Sequence, residues 1–136
     1  LAYDRNGQLV AAVEAKRRLG VTPEWAASLR ATIVEHGELV GVPFFIVVVP
    51  EAIYMWSGEA PTDALPAVTL DARTTLAPYY ERIGVDAAQI HPMAFETLVW
   101  WWLDDLTKGA RRGRAPELAG LLEALTDGYL AQQAAA

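Results

Sequence analysis

The chain has 136 residues, 53% hydrophobic and 21% charged, with a net charge of −6 and no cysteine. That length and apolar share suit one folded domain and argue against disorder, while the lack of cysteine excludes disulfides and thiolate metal sites and fits a reducing, cytoplasmic setting. The acidic balance disfavours tight non-specific binding to nucleic acid, which rests on phosphate neutralisation, although two basic clusters stand out: Lys16, Arg17 and Arg18, and Lys108, Arg111, Arg112 and Arg114.

The first predicted element is a hairpin. In "YDRNGQLV", Asn6-Gly7 is the favoured pair for a two-residue turn, since both central residues take positive φ. One strand then ends near Arg5 and the next covers residues 8–17. "VTPEWAASLRATIVEHG" follows as a helix, with Thr22 as cap, Pro23 in the first turn and Gly37 as stop. Its expected inner face carries Leu29, Ile33 and His36, with Ala26 beside them. Trp25, at the helix start, reads as a packing residue rather than a base-stacking platform.

"PFFIVVVP" shows no alternation, which predicts a strand covered on both faces. "AIYMWSG" is its expected antiparallel neighbour, and "PAVTLDA" a further strand. Helices are predicted over residues 74–83, from Pro92 through "WWWLDDLTK", and along "PELAGLLEALTDGYLAQQ", where Leu118, Leu121, Leu122, Leu125 and Tyr129 form one stripe. "GARRGRA" is a basic loop between the last two helices. The pattern implies an α/β fold, a single domain over residues 1–136 with one mixed sheet flanked by helices, two of them C-terminal. The longest apolar run, residues 39–49, is interrupted by Gly41 and Pro43. It falls short of the roughly 20 residues of a membrane helix, so no membrane partner is expected.

The chemistry-bearing stretch is "LVAAVEAKRR". Alternation puts Glu14 and Lys16 on one strand face with Val10 and Ala12, and Leu9, Ala11, Val13 and Ala15 on the other. An exposed ion pair of this kind contributes only about 0–1 kcal/mol. The other reading is a phosphodiesterase site, in which a carboxylate holds a metal and the ammonium stabilises developing charge.

With its placement at the end of a hairpin, before an amphipathic helix and a buried strand, this motif resembles the PD-(D/E)XK nucleases of the restriction-endonuclease-like fold. The likeness extends over "AYDRNGQLVAAVEAK", "EWAASLRATIVEHG", "PFFIVVVPEAIYMW" and "APYYERIGVDAAQI". It implies a Mg²⁺-dependent nuclease, with Mn²⁺ as substitute. Glu14 would be a metal ligand and catalytic carboxylate, Lys16 the catalytic lysine, and DNA the partner, met by Arg17, Arg18 and Arg30. The helix carrying Arg30 and Glu35 can also lend such nucleases a polar side chain.

The family's other Asp is not Asp4. A two-residue turn pairs Asp4 with Leu9 and Leu1 with Ala12, so Asp4 lies about 15 Å along the strand from the position facing Glu14. That Asp is expected one to three positions before Leu1, and the chain is read as the later part of its domain. The alternative is a nuclease-fold scaffold without activity, acting through self-association or protein binding.

No histidine cluster suggests zinc: His36 ends a helix and His91 reads as a loop residue. Trp100, Trp101 and Trp102 span about 200° of a helix, more than one core-facing stripe covers. One of them is expected in a homodimer interface.

Overall fold

The structure, a computed structural model, describes residues 1–37, 41–109 and 116–131. Six strands form one sheet: β1 (Ala2–Tyr3), β2 (Leu9–Ala15), β3 (Phe44–Val48), β4 (Ala52–Ser57), β5 (Val68–Asp71) and β6 (Tyr129–Leu130). Their order across the sheet is β5-β4-β3-β2-β1-β6. β2 and β3 run parallel, and the other neighbouring pairs are antiparallel. Four α-helices flank it: α1 (Pro23–His36), α2 (Ala72–Ile83), α3 (Pro92–Thr107) and α4 (Ala119–Leu125). The expected α/β class, a mixed sheet with helices on it, is what the chain adopts.

The hairpin turn is longer than the Asn-Gly pair predicts. The Asp4 carbonyl accepts from Gly7 N–H at 3.0 Å, and Asp4 N–H donates to Gln8 O at 2.9 Å. Three residues therefore make the turn, closed by Gly7 at φ +78°. Asp4 explains the choice: its carboxylate accepts from the Asn6 and Gln8 amides at 2.8 and 2.9 Å, an Asx turn that competes with the tighter loop. Tyr3 consequently pairs with Leu9, where Asp4 was expected. A bulge then brings Ala2 opposite Ala11. It also rearranges the faces: Leu9 packs with Ala12 and Phe45, whereas Val10 joins Ala11 on the other side.

α1 crosses from β2 to β3, as a parallel pair requires. Thr22 caps it, its hydroxyl accepting from Trp25 N–H at 3.1 Å. Its buried residues are Ala26, Ala27 and Arg30; Leu29 and Ile33 are only partly covered and His36 is exposed. The two small alanines let α1 lie close on Ala12, Phe45, Val47, Tyr54 and Trp56. The larger core occupies the opposite face, where Ile46, Val48, Ile53 and Met55 meet Leu76 of α2, Phe95, Leu98 and Trp102 of α3, and Leu121 and Leu125 of α4. β3 is thus covered on both faces, in agreement with its unbroken apolar run.

The last predicted helix is cut short. A 3₁₀ turn at Pro116–Leu118 leads into α4, which stops at Leu125. Asp127 takes φ 64° and donates its N–H to the Thr107 carbonyl at 2.7 Å, turning the chain back. Tyr129, expected on the helical stripe, instead enters β6 and stacks on Tyr3 with ring centroids 5.1 Å apart. Helix α2 begins at Ala72, two residues before the predicted start, because Asp71 caps it by accepting from Arg73 N–H at 2.9 Å.

Candidate functional site

β2 ends where the parallel pair ends, and the site is built there. Lys16 N–H extends the ladder by one bond, to Val48 O at 2.9 Å. The backbone then kinks, with Arg18 N–H donating to the Lys16 carbonyl at 2.9 Å. Gly20, at φ +69°, donates its N–H to Glu51 Oε1 at 2.7 Å, which fixes the passage into α1.

An open cleft of about 610 Å³ lies at this strand end, lined among others by Lys16, Arg17, Arg18, Trp25, Thr32 and Glu96. α1 forms one wall through Trp25, Ser28 and Thr32, and the N-terminal part of α3 contributes Pro92 and Glu96. Lys16, Arg17 and Arg18 therefore share one concavity. The Arg17 guanidinium donates to the Ala88 carbonyl, in a loop that Asp86 holds by accepting from the Ala88 and Gln89 amides. The Arg18 guanidinium lies over the Trp25 ring, 5.4 Å from its centroid.

Glu14 stands one pleat back from this opening. It is half-buried, pairs in register with Val47, and is not among the residues lining the cleft. Among the described residues no ion pair joins it to Lys16. Ala2 faces Ala11. The bulge offsets the longer turn, and this matches the two-residue-turn expectation.

Arg30 lies elsewhere. It is only 4% exposed. Its guanidinium donates to the carbonyls of Pro61 at 2.8 Å, Ala60 at 3.2 Å and Thr62 at 3.3 Å. It rests over the rings of Phe45 and Trp56, 5.8 and 5.5 Å from their centroids. A cation so committed pins the loop after β4 and offers no surface to DNA. Of the second basic cluster, Arg111, Arg112 and Arg114 lie outside the described residues, and Lys108 pairs with Asp104 at 2.8 Å.

The sequence favours packing over base stacking for Trp25 and does not bring α3 to the site. Trp25 does pack on the α1-side core, yet it also walls the cleft. Proximity of Pro92 and Glu96 to β2 is a tertiary fact with no local signal. His91 caps α3, its Nδ1 accepting from Met93 N–H at 3.2 Å; a histidine ahead of a proline that opens a helix was the available hint.

Among the described residues no group of three or more His, Asp or Glu side chains is placed to hold a metal. Mg²⁺ is bound through one or two carboxylates and keeps several waters. Glu14 supplies one carboxylate, and the described residues do not by themselves complete a Mg²⁺ centre. No family model, curated protein or solved structure matches this chain.

Proposed function

We propose that the chain is the phosphodiester-handling part of a nuclease-like DNA-processing protein that works with Mg²⁺ or Mn²⁺. One observation carries the proposal: the strand that bears Glu14 ends, at Lys16, in a cleft lined by three consecutive cations. In this reading Arg17 and Arg18 bind and orient phosphates, and the Lys16 ammonium stabilises the charge that develops on the phosphoryl oxygens. Glu14, two residues before Lys16 on β2, gives one of the oxygens the ion needs; a second is required from outside the described set.

That same single carboxylate favours a second reading, an inactive nuclease-fold scaffold acting through self-association or protein binding. The two readings part in one experiment. The natural full-length protein is incubated with supercoiled plasmid and with single-stranded circular DNA, and with Mg²⁺ or Mn²⁺, beside its Lys16→Ala variant. The nuclease reading expects metal-dependent cleavage that falls at least about 10²-fold in the variant, with circular dichroism unchanged. Equal cleavage by both proteins would identify a contaminant, and cleavage by neither would leave the scaffold.

A further inference from the structure

We infer that the cleft takes single-stranded nucleic acid, with one base stacked on Trp25 and the flanking phosphates held by Lys16, Arg17 and Arg18. The inference rests on the nucleic-acid reading of this same site and adds the substrate form.

Size is the first argument. At about 610 Å³, the cleft falls among sites that enclose one small-molecule-sized unit, roughly 300–1,000 Å³. A nucleotide fits that space; a run of duplex does not enter it.

Charge is the second. The molecule carries −6 overall, and Glu96 stands in the cleft wall itself. A rigid duplex, with one charge per about 1.7 Å of axis, would press further phosphates onto this acidic body. A single strand bends and places only two or three phosphates against the three cations.

The aromatic wall is the third. Trp25 is half-buried on the α1-side core, and Arg18 lies over its ring at 5.4 Å. An exposed cation–π contact of this kind favours the stacked form by only about 2–5-fold. Stacking of a base on an aromatic side chain strengthens binding by about 5–150-fold. A base therefore displaces the guanidinium from the ring, and Arg18 is released to a neighbouring phosphate. Arg18 thus occupies, in the free protein, the place a base takes in the complex.

The test is fluorescence anisotropy with a labelled ten-residue thymidine oligonucleotide, a hairpin duplex of equal charge, and an abasic oligonucleotide with the same phosphates. EDTA is present throughout, so neither metal nor cleavage enters. The wild-type protein should bind the single strand at least tenfold tighter than the duplex or the abasic strand. Trp25→Leu should bring the single strand down to the abasic level, and Trp25→Phe should restore most of the loss. With three phosphates neutralised, the slope of log K against log salt for the single strand should be about −2. Equal affinity for strand and duplex, an abasic strand bound as well as the natural one, or no binding at all would overturn the inference. The abasic comparison uses wild-type protein, so it stands even if Trp25→Leu fails to fold. Cleavage of single-stranded circular DNA unaffected by Trp25→Leu would count against this inference and leave the nuclease reading standing. Trp25-dependent strand binding without cleavage would do the reverse.

Discussion

Arg30 is the side chain whose role the sequence least discloses. On a helical wheel it is one more charge on the solvated face of α1. In the fold it is buried, and its three carbonyl bonds close the loop that follows β4. Burial lowers its pKa, yet a guanidinium stays charged over the accessible pH range, so the charge must be met by carbonyl dipoles and ring faces. Removing it strands acceptors in the interior, at about 1–3 kcal/mol for an unsatisfied group. Arg30→Ala should therefore lower the unfolding free energy by roughly 2–4 kcal/mol, measured by urea titration. Arg30→Lys should recover only part, because an ammonium cannot fan across three carbonyls as the planar fork does. Two tyrosines contribute to the alkaline limit. The pKa of Tyr54 is raised by burial, then by Glu51 and Glu24, and that of Tyr80 by burial against the opposing charge of Arg17. A group whose folded pKa is raised contributes its stability in full below the unfolded value, about 10 for tyrosine, and loses it as pH rises through the folded value. Stability should fall from about pH 10 upward, and replacing both tyrosines by Phe should move the alkaline unfolding midpoint, followed by circular dichroism, to higher pH.

Elements defined by local patterns were legible, and those defined by distant partners were not. α1, β3, β4 and α3 follow from caps, prolines and unbroken apolar runs, all of which act within a turn or two. β6 could not be read, because Tyr129 and Leu130 continue an apolar helical stripe, and only pairing with β1 makes them a strand. Gly128 is the joint that permits it: a Cβ there would stand 2.0 Å from the Tyr3 carbonyl oxygen. Gly128→Ala should push β6 off β1 and cost more than about 3 kcal/mol, with amide exchange accelerated in residues 1–3 and 129–131 while α1 and β3 stay protected. The hairpin shows a milder form of the same limit. Asn6-Gly7 announced a turn correctly, but Asp4 decided its length, and the bulge that restores the register leaves no mark in the sequence.

For the whole molecule, the site was legible as a strand end and illegible as a cavity. Parity put Lys16 at the strand end and the basic run supplied Arg17 and Arg18, but Glu14, which parity placed beside Lys16, does not line the cleft; the opposite wall arrives with α3, some 75 residues later in the chain. The tryptophan triplet divides as angular spacing requires. Trp102 is fully buried, Trp101 packs at the core margin beneath Arg82 at 5.2 Å, and Trp100 stays half-buried. Trp100 is accordingly the member left to meet a second copy in the proposed homodimer. Light scattering should give the dimer mass at high protein concentration, and Trp100→Ser should shift it toward the monomer; a monomeric wild-type protein at those concentrations would end that proposal. The pairing of β1 with β6 has a consequence in time. Tyr3 and Tyr129 are neighbours in the sheet but leave the ribosome far apart. At about 5–20 residues per second, the outer edge of β1 waits roughly 6–25 s for its partner. Over that interval every nascent chain carries an unclaimed row of backbone donors and acceptors, open to the same edge on its neighbour along a polysome. Crowded translation is a setting where this edge can mispair, although β1 itself is only two residues long, and slower initiation, which spaces the ribosomes, should raise the soluble yield.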